Sequence, residues 1–213
     1  MSLWPSLLMA SDALLVLSSL TYGIKFVRKR NWLLGLEWLV ITVSASNLMI
    51  YLLYENPSNF NFSFFLDQFS RAVGIPVITI AGLMAVTHRY TPSLLADVVM
   101  FGLGIVVGLL FAFTGFASDL KPYLLVLGWS VFSLYLIYLA KRLWKAGETL
   151  QAVNVIAAML SSQIIASLYD FYHIPGDDQL HSIFYTFALT VWAYVLVALY
   201  YAYVAMERHR EAS

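Results

Sequence analysis

In the stretch FFLDQFSRAVGIPV, residues 64–77, Asp67 and Arg71 stand four residues apart inside an otherwise apolar run. On a helix this spacing puts both side chains on one face, one turn apart, where they can pair. A carboxylate beside a guanidinium in such surroundings can move a proton or hold the polar part of a bound molecule. Asp170, at the end of a second apolar run, has the same capacity. Asp67 and Asp170 are therefore the candidate general acids or bases.

The elements that must position them follow from composition. The 213 residues are 61% hydrophobic and 11% charged, with a mean hydropathy of +0.78. That is too little polar surface for a water-soluble globule, so the chain reads as an all-α integral membrane protein. A span needs about 20 mainly apolar residues. Seven such runs occur, at roughly 5–26, 33–54, 63–87, 93–115, 122–143, 150–171 and 182–206. They occupy nearly all of residues 1–213, which predicts a single seven-helix transmembrane domain with short connections and no soluble catalytic or nucleic-acid-binding module.

Basic residues set the expected orientation. Lys25, Arg28, Lys29 and Arg30 follow span 1, Arg89 follows span 3, Lys141, Arg142 and Lys145 follow span 5, and Arg208 and Arg210 follow span 7. All lie on one side, against Lys121 on the other, so the N-terminus is expected outside and the C-terminus in the cytoplasm. A bacterial inner (plasma) membrane is the expected location. Span 1 has no basic segment before it, so it reads as retained rather than as a cleaved signal peptide. Net charge is zero, with 12 basic and 12 acidic residues. Glu55, Asp67, Asp119, Asp170, Asp177 and Asp178 nevertheless gather toward the outer ends, which gives that side an acidic mouth.

Helical rise places Asp12, Asn47, Arg71 and Gln163 about 3–6 Å outward of the centres of spans 1, 2, 3 and 6, with Asp67 about one turn further out. Unpaired polar groups are disfavoured in hydrocarbon, so these residues should face the bundle interior. Helical spacing extends the polar stripes through Tyr51 and Tyr54 on span 2, Ser167 on span 6, and His181, Tyr185 and Trp192 on span 7. The expectation is a polar pocket with aromatic walls in the outer half, in which Asp12, Asn47, Tyr51, Arg71, Gln163, Ser167, Tyr185 and Trp192 bind substrate. Interhelical hydrogen bonding is the structural alternative for Asn47 and Gln163. Glu37 and Asp97, near inner ends, read as partners of nearby basic groups or of interfacial water. The Tyr-rich ALYYAYVAMERH reads as interfacial belt.

Pro76, after Gly74, is the clearest proline inside a span and predicts a kink in span 3 just inward of Arg71. Gly104 and Gly108 give span 4 a small-residue face suited to a neighbouring helix or to a second copy in a homo-oligomer. A shift of 116 residues lays Tyr22, Lys25 and Lys29 on Tyr138, Lys141 and Lys145, and Ser46–Asn47 on Ser162–Gln163. This hints at a weak 3+1+3 internal repeat with span 4 as connector.

The seven-span plan is shared with the microbial rhodopsins, but a retinal Schiff base needs a lysine in the last span and HSIFYTFALTVWAYVLVALYYAYVAM has none. It is also shared with sugar exporters built as 3+1+3 helices, whose paired proline kinks have no mid-span counterpart in spans 1, 2, 5 or 6. That similarity stops at topology. The loop YDFYHIPGDDQLHS offers Asp170, His173, Asp177, Asp178 and His181, but no HxxxH or HExxH order, so a solvated connection is expected and no metal. With no Cys, thiolate chemistry is excluded. No cofactor and no nucleic acid is expected; the partners are the bilayer and a lipophilic small molecule. Three functions fit: an intramembrane enzyme doing acid/base chemistry on a lipophilic substrate, a transporter of a small solute or of protons, and a ligand-sensing or assembly subunit of a membrane complex.

Overall fold

The structure, a computed structural model, describes residues 3–178 and 180–212. Those residues form helices joined by short turns, with no strand among them. Seven helices are long and apolar enough to cross a membrane. They are numbered here α1 (Leu3–Arg28), α2 (Trp32–Tyr54), α3 (Pro57–Thr87), α4 (Leu94–Phe113), α5 (Lys121–Lys145), α6 (Thr149–Leu168) and α7 (Ser182–Ala212).

The helix ends follow local chemistry beyond the apolar runs. α3 starts at Pro57 because Asn56 accepts from the Ser58 N–H and Pro57 fits the first helical turn. Its start thus precedes the apolar run at 63. Asn31 caps α2 through the Leu34 N–H (3.2 Å) and also donates to the Gly82 carbonyl of α3 (2.8 Å), which fixes these helices against each other. α6 stops at Leu168, so Asp170 sits in the turn beyond it rather than inside a span. α7 continues through its polar tail to Ala212.

Six helices close a ring in the order α1, α2, α3, α5, α6, α7, with α7 returning to α1. α4, the most apolar and least buried helix, lies outside the ring against α3. An added Cβ at Gly104 would run into the Phe69 ring, and one at Gly108 would crowd Phe65 and Phe69. The glycine face of α4 therefore packs against α3. The core is continuous across the ring; Phe26, Leu34, Trp38, Phe132, Leu136 and Leu199 are fully buried.

The middle of α3 departs from α-helical geometry. Ser70–Thr79 is π-helical, with Pro76 inside it. Proline supplies no N–H and its ring crowds the preceding turn, so the widened register absorbs what an α-helix could not. The Thr79 hydroxyl donates to the Gly74 carbonyl across that turn (3.1 Å). This segment packs on both α2 and α5, so the irregular part of α3 is the part that spans the ring interior.

Candidate functional site

α3 carries Asp67 in its last α-helical turn and Arg71 at the start of the π segment. Their separation is 3.7 Å, a loose ion pair. Arg71, only 5% exposed, makes its close ion pair with Asp170, through Nη2 and Oδ2. The guanidinium also lies over the Tyr169 ring, 3.7 Å from its centroid, a contact that stabilises a desolvated cation. Two consecutive residues after α6 thus hold Arg71, one by charge and one by its ring.

Tyr169 links the rest. Its hydroxyl donates to Asp67 Oδ2 (3.4 Å) and shares a 3.3 Å hydrogen bond with the Tyr185 hydroxyl. Its ring stacks on Trp192 at 5.8 Å, and Trp192 meets Trp129 at 6.4 Å. Gln68 donates to Asp67 Oδ2 as well (3.2 Å). Arg71, Tyr169 and Gln68 therefore all address Oδ2. Asp67 Oδ1 makes no hydrogen bond among the described residues, and the Asp67 side chain is 19% exposed.

That exposure is to a cavity of about 1080 Å³, its open mouth included, which Asp67 and Arg71 border. The cavity lies in the half of the bundle where α1 begins, the expected outer half, and reaches Leu15, Ile41, Ile75 and Leu196 near mid-bundle. Its walls are largely leucine, isoleucine and aromatic rings, among them Tyr51, Phe60, Trp129, Tyr185 and Trp192. Ser44, Ser63 and Ser70 are the other polar residues on it. An apolar concavity with a few convergent polar groups is the usual form of a small-molecule site.

Of the residues the sequence singled out, the structure gathers Asp67, Arg71, Asp170, Tyr185 and Trp192 at one place, with Tyr51 on the same cavity wall. Asp12, Asn47, Gln163 and Ser167 do not border the cavity. Asn47 donates to the Val43 carbonyl (2.8 Å) and accepts from Asn59 (2.7 Å), joining α2 to α3. Gln163 accepts from Ser133 (2.7 Å) and donates to Ser130 (3.4 Å) and to the exposed Ser167 (3.2 Å), joining α5 to α6. Asp12 is fully buried, and neither of its carboxylate oxygens has a hydrogen-bond partner among the described residues. Asn47 meets α3 at Asn59, twelve residues before Arg71, and no single polar ring forms.

Two residues were missed or misplaced by the sequence. Tyr169, to which the sequence assigns no role, is the hub of the cluster; its position next to Asp170 is the available signal. Glu37, expected beside a basic group or interfacial water, is instead fully buried, with the Ser70 hydroxyl as a polar neighbour but no well-formed hydrogen bond among the described residues. It packs on the π segment, where an added Cβ at Gly74 would overlap its carboxylate. Nothing in the sequence pairs positions 37 and 74.

The α6–α7 connection is built from helix caps. Asp177 accepts from the Ile183 N–H (2.9 Å) and the Phe184 N–H (3.1 Å), and Asp178 from the Leu180 N–H (3.0 Å) and the Ser182 N–H (2.9 Å). The Ser182 N–H, followed by other bonds, holds the Asp178 carboxyl below the usual aspartate range. His173 and His181 meet ring to ring at 5.0 Å. Among the described residues no group of three or more His, Cys, Asp or Glu could hold a metal. At the opposite end, Lys29 pairs with Glu207, and Tyr200 and Tyr203 pack edge-on against Phe26. Part of the Tyr-rich segment is thus bundle core and not belt.

Fold and site together define the class: a membrane-spanning helical bundle with an ion cluster on the wall of an apolar cavity. Compared with protein-family models, with curated proteins and with solved structures, the chain finds no match in any of the three.

Proposed function

We propose that the chain is an intramembrane enzyme that moves a proton on a lipophilic substrate held in the cavity. The observation that carries this reading is the division of labour on Asp67: Oδ2 is held by Arg71, Tyr169 and Gln68, while Oδ1 is left open on a residue that borders an apolar space. A carboxylate oriented through one oxygen and open through the other is equipped to accept or deliver a proton. Arg71 and Tyr169 act as its positioning residues. Asp170, which does not border the cavity, serves the same end by holding Arg71 in place. Tyr51, Tyr185 and Trp192 form the wall against which the apolar body lies. The N-outside orientation in a plasma membrane, with the cavity toward the outer leaflet, belongs to this proposal and rests on the distribution of basic residues. The ring order accords with a 3+1+3 arrangement, since α1–α2–α3 and α5–α6–α7 follow each other in the same sense with α4 outside.

A transporter of protons or a small solute is the second reading, and one observation favours it. Asp12 and Glu37 are both fully buried without well-formed hydrogen bonds among the described residues, and α3 is irregular between Asp67 and the inner end. Buried ionisable groups and interrupted helices are features of transport pathways.

The test is native mass spectrometry with lipid analysis of protein extracted in mild detergent. The enzyme reading expects one specific lipophile on the wild type, lost in Arg71→Ala, and converted when incubated with fresh wild-type protein but not with Asp67→Asn. Bulk lipid alone on all forms, with flux of a solute or protons in proteoliposomes, would replace it with the transport reading.

A further inference from the structure

The charges gathered around Arg71 do not balance. Asp67 and Asp170 supply two carboxylates to the single guanidinium of Arg71, and these are the charges that act on Asp67. Lys121, over the Phe64 ring at 5.8 Å, donates to the Phe111 carbonyl (3.3 Å). Arg71 is engaged on its Nη2 by Asp170 and on its face by Tyr169, and its Nη1, which has no hydrogen bond among the described residues, is buried. A ligand anion in the cavity would thus meet the Asp67 carboxylate and a guanidinium turned to other partners. Asp67 Oδ1, by contrast, is open on a side chain that borders the cavity.

The rings point the same way. Tyr51, Phe60, Phe64, Tyr185 and Trp192 border the cavity as Asp67 does. Aromatic faces attract cations, and a set of them beside a carboxylate is the arrangement that binds ammonium-type groups. Deeper in, Leu8, Leu15, Ile41, Leu189 and Leu196 offer only hydrocarbon. We infer that the cavity takes a lipophilic cation, its positive centre against Asp67 Oδ1 within the aromatic rings and its apolar body in the leucine-lined depth. This names a substrate class for the site proposed above and rests on that reading; in it, Asp67 faces a protonated or permanently charged centre.

The experiment is equilibrium dialysis of the full chain in nanodiscs of zwitterionic lipid, with empty nanodiscs subtracted. Three probes are compared: tetraphenylphosphonium, the similarly shaped anion tetraphenylborate, and the neutral farnesol. The expected result is saturable binding of tetraphenylphosphonium at one per chain, at least tenfold tighter than tetraphenylborate, and weakened at least tenfold by Asp67→Asn. Should Asp67→Asn fail to fold, the preference of the wild type for cation over anion carries the test alone. Equal or tighter binding of tetraphenylborate overturns the inference, as does a folded Asp67→Asn with undiminished affinity for the cation. Saturable farnesol binding without charge preference overturns the cation inference and leaves the lipophile site standing; no saturable binding of any probe overturns both.

Discussion

α3 meets two acidic regions, and they are built on opposite terms. Toward the end where α3 begins, Asp67 and Asp170 surround Arg71 beside open space. Further along, Glu37 is pressed against Gly74 with no cation, no well-formed hydrogen bond among the described residues, and no cavity. In the first region a guanidinium stands between the two carboxylates, and there is room for a ligand. In the second, burying an uncompensated carboxylate is disfavoured by several kcal/mol relative to a neutral group, and packing is what holds the side chain. Acidic residues in a membrane bundle therefore do not all signal one activity; partner and space decide which of them can do chemistry.

The comparison breaks most visibly at Arg71. Arg71→Ala strands both Asp67 and Asp170, and removing one member of a buried pair costs about 3 kcal/mol or more; thermal unfolding in detergent should show the largest loss of any substitution in either region. Next comes the glycine. Gly74→Ala forces a methyl into the Glu37 carboxylate, with an expected loss of about 1–3 kcal/mol. Glu37→Ala in the same chain should recover most of it, and a double-mutant cycle without coupling would show that the two do not share the space.

Amide substitutions sharpen the contrast. Asp67→Asn weakens a charge-assisted set of contacts and should cost about 1–2 kcal/mol. Glu37→Gln keeps shape without a charge and should cost less than about 1 kcal/mol; a larger loss than at Asp67 would mean that Glu37 has an ionic role. Tyr169→Phe keeps the ring over Arg71 and removes only the hydroxyl, for an expected loss of about 1 kcal/mol.

The smallest effect lies outside both regions. Asp178 has its carboxyl lowered by the Ser182 N–H and its neighbours, so the stability it lends to the start of α7 is present above the unfolded aspartate value of about 4 and is lost as pH falls through the lowered folded value. Melting curves between pH 6 and about 3 should fall slightly less for Asp178→Asn than for wild type.

Much of this was legible beforehand because span length and helix-breaking residues act locally along the chain. The seven spans, the break at Pro76 and the Asp67–Arg71 pair could all be read from spacing. Register and azimuth were not: Asn47 meets α3 at Asn59, twelve residues before Arg71, and Gln163 turns to Ser133. Whether a helix face meets a neighbour or a cavity depends on ring order, which spacing along one chain does not encode. The π segment hid Glu37 for the same reason, since its position against Gly74 follows from a register change in a different helix.

The most direct test of the account is solvent-deuterium incorporation into the co-extracted lipophile, read by mass spectrometry after incubation in D₂O with wild type, Asp67→Asn and Glu37→Gln. Proton transfer at the cavity carboxylate predicts a mass gain with wild type and with Glu37→Gln, and none with Asp67→Asn. No gain with wild type, or a gain that survives Asp67→Asn and disappears with Glu37→Gln, would contradict the assignment of chemistry to the cavity and of packing to the inner carboxyl.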